Sequence, residues 1–206
     1  MSYTSLPTPV SLQRTMDTVR ARGITVELVA TKEAALARLQ ALIPAGAVVM
    51  TAGSVTLTQI GFDALLISGS HPWRNFKAEL LAEKDPVKQS ALRLQGITAE
   101  YFLGSVNAIA ETGELVFASA TGSQLPAYAF SSRNVIWVVG AQKITPTLED
   151  ALRRVREVAL PMEDQRQKSF GNKNGSFIGR ILIFEREPAY LRRNLVLILV
   201  NEVLGF

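Results

Sequence analysis

The chain predicts an α/β fold of three layers: a mostly parallel sheet with helices on both faces, and an antiparallel portion. Three observations carry this. The runs Ala47-Val48-Val49-Met50 and Val135-Ile136-Trp137-Val138-Val139 are wholly apolar, as strands are when both faces of a parallel sheet are covered. Segments of helical periodicity lie between such runs. Ala108-Ile109-Ala110 and Leu115-Val116-Phe117 flank Glu111-Thr112-Gly113-Glu114, the pattern of a hairpin turn.

In chain order, Leu12, Met16 and Val19 recur at helical spacing over 11–22, and Gly23 stops that helix. Ile24 to Val29 alternates at period two and reads as a strand. Thr31 caps a helix from Ala34 to Ile43 that turns Leu36, Leu39 and Ile43 to one side. Pro44 and Gly46 precede the strand at 47–50. A helix is expected over 56–66, a loop over 68–75, a helix over 86–94 and a strand over 100–103. After the hairpin a helix follows Gly122, and 134–140 is a central strand. Pro146 opens a helix with Leu148, Ala151, Leu152 and Val155 inward. Residues 163–176 are polar and glycine-bearing and read as a mobile loop. Two strands, 180–184 and 195–200, close the chain and are expected to join the antiparallel part. Residues 1–22 read as a helix packed on a domain of 23–206.

Composition narrows the function. At 206 residues, 48% hydrophobic and 19% charged, the chain is long and apolar enough to bury its own core. Without cysteine it has no disulfide, thiolate zinc site, thiol nucleophile or cysteine-ligated iron–sulfur cluster. The one histidine, His71, excludes a two-histidine metal site within the chain. Twenty-two basic against 18 acidic residues give a formal charge of +4, too diffuse to argue for nucleic acid. No signal peptide or membrane-length apolar run is present, so a cytoplasmic location is expected. No motif calls for a resident metal or cofactor.

In α/β sheets, ligands bind beyond the carboxyl ends of the strands, and the small and polar clusters of this chain fall there. Thr51-Ala52-Gly53-Ser54-Val55-Thr56 opens a helix with small residues and free amides suited to an anion, although it is neither a Walker loop nor a Gly-x-Gly-x-x-Gly motif. Gly53, Ser54 and Thr56 are its candidate ligand groups. Asn107 follows the strand at 100–103 and is placed to orient a ligand. Glu111, at the glycine turn beyond, is the candidate base or nucleophile. Gly122 and Ser123 form a second small-residue entry to a helix, suited to an anion or to a cap. Lys143, after the strand at 134–139, can meet a carboxylate or phosphate as a point charge. The expectation is spatial: the stretches around Gly53, Asn107, Gly122 and Lys143 converge on one hollow.

At these clusters the chain resembles the LUD (lactate utilisation) domain family, which includes the LutC-like proteins. The matching segments are Ala52-Gly53-Ser54-Val55-Thr56-Leu57, Asn107-Ala108-Ile109-Ala110-Glu111-Thr112-Gly113-Glu114-Leu115, Val138-Val139-Gly140-Ala141-Gln142-Lys143-Ile144, Leu148 to Val155 and Val200 to Phe206. The resemblance implies a fold like that of sugar-phosphate isomerases, glucosamine-phosphate deaminases and CoA transferases, with a small anionic ligand near Ser54, Asn107, Glu111 and Lys143. It also implies involvement in the oxidation of lactate to pyruvate beside iron–sulfur partner proteins. The chain departs from the family pattern in carrying Ser119 for aspartate, Gln59 for glutamate, Gln142 for asparagine and Gly122-Ser123-Gln124-Leu125 for a Gly-Asn-Arg-Val segment. Its region 169–176 lacks the cysteine cluster of several relatives.

Two functions follow as expectations. One is a protein of lactate or related hydroxy-acid metabolism that binds a small anionic metabolite. The other is a non-catalytic assembly or regulatory subunit of a larger oxidoreductase, which the missing cysteines and substituted polar positions favour. A doubly wound nucleotide-binding oxidoreductase is disfavoured, because no glycine fingerprint follows the first strand. Neither a nucleic-acid nor a membrane partner is expected; a homodimer is the default oligomer.

Overall fold

Wholly apolar strands have no solvent face, and the computed structural model, which describes residues 3–206, places them at the centre of a six-stranded sheet. The strands are β1 (Thr25–Val29), β2 (Val48–Thr51), β3 (Arg74–Asn75), β4 (Tyr101–Gly104), β7 (Asn134–Gly140) and β10 (Asn194–Val200), in the order β1-β10-β7-β4-β2-β3 and parallel throughout. Register aligns Thr51 with Leu103, Gly104 with Trp137, and Gly140 with Val200. The carboxyl ends of four strands therefore open on the same edge.

Alternation along each strand feeds two cores. Val49, Leu103, Ile136, Val138 and Ile198 pack beneath α2 (Lys32–Leu42), α3 (Val55–Gln59) and α4 (Phe62–Ser68). Phe102, Val135, Trp137 and Leu197 face the other way, toward Met16 and Val19 of α1 (Pro9–Ala21) and Phe76 and Leu80 of α5 (Phe76–Ala82). Helix α6 (Pro86–Gly96) follows α5. Four helices begin as their sequences dictate, with Thr8, Thr31, Asn75 and Asp85 accepting first-turn amides.

A second, mixed sheet stands against that latter face. It holds β5 (Ala108–Ala110), β6 (Leu115–Ser119), β8 (Ile144–Thr145) and β9 (Arg180–Phe184), in the order β8-β5-β6-β9. Period two divides its residues. Ile109, Leu115 and Phe117 join the core over Trp137, while Ala108 and Val116 pack with Ala151 and Val155. Those last two belong to one long helical run made of α7 (Leu148–Arg154), a π-helical turn (Val155–Ala159) and α8 (Leu160–Ser169).

Four expectations change. Strand 195–200 is parallel and central rather than antiparallel, because a strand apolar on both sides is best buried between two others. The 56–66 helix is broken in two by Gly61, which adopts φ +85°. Helix α5 forms where none was expected. Residues 163–169 continue α8 instead of a loop; beyond it, Asn172 and Ser176 tie the chain back through bonds to the Gln167 carbonyl and the Asp164 carboxylate. No helix among the described residues is long and apolar enough to cross a membrane.

Candidate functional site

Each strand end contributes a small residue, so the backbone stays low and a hollow remains above the sheet edge. The cavity is about 500 Å³. Its inner wall is made by Ala52 to Thr56 after β2, Ser105 to Asn107 after β4, and Lys143 after β7. The outer wall comes from Val155, Ala159 and Leu160, from Glu163 and Arg166 of α8, and from Asn172 and Gly175 to Ile178; Phe206 also borders the space. Two π-helical turns, Ala127–Ser131 and Val155–Ala159, each contribute wall residues, a backbone irregularity frequent at functional sites.

Lys143 lies at the floor and is 2% exposed. A tight turn of 3₁₀ helix after β7 (Ala141–Lys143) aims it inward. Its Nζ bonds Thr56 Oγ1 at 3.2 Å, Ser105 Oγ at 3.2 Å and the Val106 carbonyl at 3.1 Å. These partners are two hydroxyls and a carbonyl, with no carboxylate among them. Burial, reinforced by the nearby charge of Arg154, pushes the amine's pKa well below the ordinary lysine value. Arg154 is 1% exposed and, among the described residues, donates to the carbonyls of Tyr3 and Asn107; burial lowers its pKa to about 10. On the inner wall and behind it, then, stand two buried nitrogen groups, Lys143 and Arg154, without an acidic side-chain partner among the described residues. Glu163 of α8, the carboxylate side chain that lines the cavity among the described residues, is held by Arg166 Nε and a terminal nitrogen at 2.7 Å each.

Tyr128 closes one side. It is 2% exposed, its ring packs on Phe102, Phe117 and Trp137, and its hydroxyl lies against the Cα of Gly104. That hydroxyl has no hydrogen-bond partner among the described residues, and desolvation raises its pKa. At the rim, Gln142 grips the segment after β10, with its amide donating to the Leu204 carbonyl at 2.8 Å and its oxygen accepting the Leu204 amide at 3.2 Å. Gln59 accepts the Gly205 amide at 2.6 Å. The two family positions substituted by glutamine thus anchor this segment beside Thr56.

Of the residues singled out from sequence, Gly53, Ser54, Thr56, Asn107 and Lys143 line the one cavity. Their side chains differ in freedom. Ser54 is used as the cap of α3, accepting the Leu57 amide, and the Asn107 oxygen accepts the Ala118 amide. Gly122 and Ser123 do not line it, although their neighbours Thr121 and Gln124 do. Gly122 adopts φ +78° with the Arg180 side chain laid on its Cα, and Ser123 faces a separate hollow of about 100 Å³ with Thr51 and Arg93. Glu111, the candidate base or nucleophile, is placed elsewhere. It lies outside the cavity, where its carboxylate accepts from Ser11 Oγ at 2.5 Å and Arg14 at 3.0 Å. The reason is the rise of a strand: four residues beyond Asn107 carry the turn roughly 13 Å from the sheet edge. The carboxylate serves to moor α1 to the hairpin. His71 stacks on Trp73 with ring centres 5.2 Å apart, away from the cavity.

Sequence reasoning missed Ser105, Tyr128 and Arg154. Ser105 had a signal, since it follows Gly104 at a strand end. The other two sit in helical segments with nothing local to mark them.

The family model of the LUD domain matches residues 12–179, most of the chain. This chain belongs to the LUD domain family. A DUF162 family protein from Deinococcus radiodurans shares the LUD domain's fold here, at 15% identity and a TM-score of 0.55, over 96% of this chain and 100% of that one. No curated protein matches. The LUD-domain match spans every inner-wall residue named above from Gly53 to Lys143, and Arg154 behind them.

Proposed function

We propose that this LUD-domain chain serves lactate or related hydroxy-acid metabolism by binding a small carboxylate at the floor of the cavity. One observation carries the reading: Lys143 on the cavity wall beside two hydroxyls, and Arg154 behind it, are buried with no carboxylate side-chain partner among the described residues. Buried cationic groups are normally paired, and here the missing negative charge is left for a ligand to bring. Thr56 and Ser105 supply hydroxyls to orient it, and the first-turn amides of α3, which have no intrahelical acceptor, add donors at Gly53 to Thr56. Such a ligand holds the proton of Lys143 in place, so binding takes up a proton and affinity rises as pH falls.

The test is thermal shift against lactate, longer hydroxy acids, pyruvate, sugar phosphates and CoA esters. A rise in Tm with the short carboxylates that is absent in Lys143→Met is the expected result; no shift across the whole series overturns the reading.

A second reading, a non-catalytic assembly or regulatory subunit with iron–sulfur partners, is favoured by one feature. Val87, Ala91 and Leu94 repeat at helical spacing along α6 and are exposed, with Leu81 exposed on α5. Co-expression with candidate iron–sulfur proteins tests this: a complex lost in Leu94→Glu supports the subunit role, and a chain that elutes alone rejects it.

A further inference from the structure

We infer that Lys143 is a nucleophile that captures a 2-oxo acid as an imine at the cavity floor, an inference that rests on the carboxylate reading above and narrows it. Three features of the geometry point there. The amine lies on the cavity wall and is bonded only to oxygens of Thr56, Ser105 and Val106, so no carboxylate holds its proton. Arg154 stands behind it, and a lysine that is desolvated and flanked by another cation is the arrangement that frees an amine to attack a carbonyl. Two hydroxyls within 3.2 Å, themselves 3.3 Å apart, give a relay for the protons that must move. The other titratable side chains bordering the space, among the described residues, are the Tyr128 hydroxyl and the Glu163–Arg166 pair on the far wall.

The step balances without an oxidant or a reductant. The Nζ lone pair forms a bond to the carbonyl carbon as the C=O π bond breaks toward oxygen. One amine proton reaches that oxygen through Thr56 or Ser105 to give the carbinolamine. The second amine proton follows as the C–O bond breaks, and one water leaves with both. The imine so formed is neutral; once protonated by a solvent proton passed along the same hydroxyls, it is a cation beside Arg154. The inner wall offers no acid to offset it, so the compensating charge has to come from the captured molecule. This selects an oxo group adjacent to a carboxylate over a neutral aldehyde or ketone.

The experiment uses the intact protein with pyruvate and sodium borohydride, which delivers hydride to an imine carbon and fixes it as a secondary amine. Peptide mapping by mass spectrometry is expected to find one reduced pyruvyl group on Lys143, formed at neutral pH at least about ten-fold faster than on any other lysine, since an ordinary lysine is almost wholly protonated there. Lys143→Met loses the adduct, and Ser105→Ala or Thr56→Val slows its formation while leaving the protein folded by circular dichroism. Pyruvate that raises Tm but leaves Lys143 unmodified overturns the imine and leaves the carboxylate site standing. Pyruvate and lactate that neither modify nor stabilise the protein overturn both.

Discussion

Lys143 sits in the folded chain at a cost that pH exposes. Unfolded, its amine keeps a proton up to the ordinary lysine range; folded, it releases it well below. Between those two values the unfolded chain binds more protons, so stability rises with pH across that window and is lost as pH falls through it. Lys143→Met is therefore expected to be more stable than the parent without ligand by about 1 kcal/mol near neutral pH, with the gap closing toward about pH 10, as measured by urea melts across that range. A parent whose stability is flat over the window would contradict the buried, deprotonated amine. Gly104 makes a second residue-scale case. A side-chain carbon there would collide with the Tyr128 hydroxyl, so Gly104→Ala is expected to cost about 2–3 kcal/mol, with Tyr128→Phe recovering part of it in a double-mutant cycle. At this scale the sequence marked Thr56 and Lys143 because both stand one step past an apolar strand. It marked Glu111 by the same logic, and the strand carries that turn away from the edge it leaves.

At the scale of elements, α1 and the segment after β10 are held by polar ties rather than by propensity alone. Arg22 at the end of α1 donates to the Thr112 and Glu185 carbonyls and pairs with the carboxylates of Glu114 and Glu185. Glu114 is buried, so Arg22→Ala strands a carboxylate and is expected to destabilise by about 2–4 kcal/mol. Glu111→Ala removes only a half-exposed tie and is expected to cost about 1 kcal/mol, with carboxylate binding by thermal shift unchanged. A lost ligand response in that variant would restore Glu111 to the site. Gln142→Ala releases both backbone groups of Leu204 and is expected to speed amide exchange at Leu204 and Gly205, read by hydrogen–deuterium exchange. Helix α2 was legible because Thr31 announces it. Helix α5 was not, because Phe76 and Leu80 are only two buried contacts in a short run that periodicity does not separate from loop.

For the molecule as a whole, the two sheet faces share their strands, so neither core can open without exposing the other. Trp137 lies in one core and Trp73 in the other. Variants that keep a single tryptophan, Trp73→Phe and Trp137→Phe, are expected to give fluorescence midpoints that coincide with each other and with circular dichroism in denaturant. Separated midpoints would mean two folding units. The sequence alone determined the α/β class, the parallel central strands and the strand ends where polar and small residues collect, because each rests on a local period or on an apolar run that has one favourable place to go. Only the tertiary structure decided that β10 runs parallel between β1 and β7, that Arg154 stands behind Lys143, and that α8 and Phe177 close the far wall. Those facts depend on which distant segments meet, and proximity in space between residues far apart in the chain leaves no periodic trace along it.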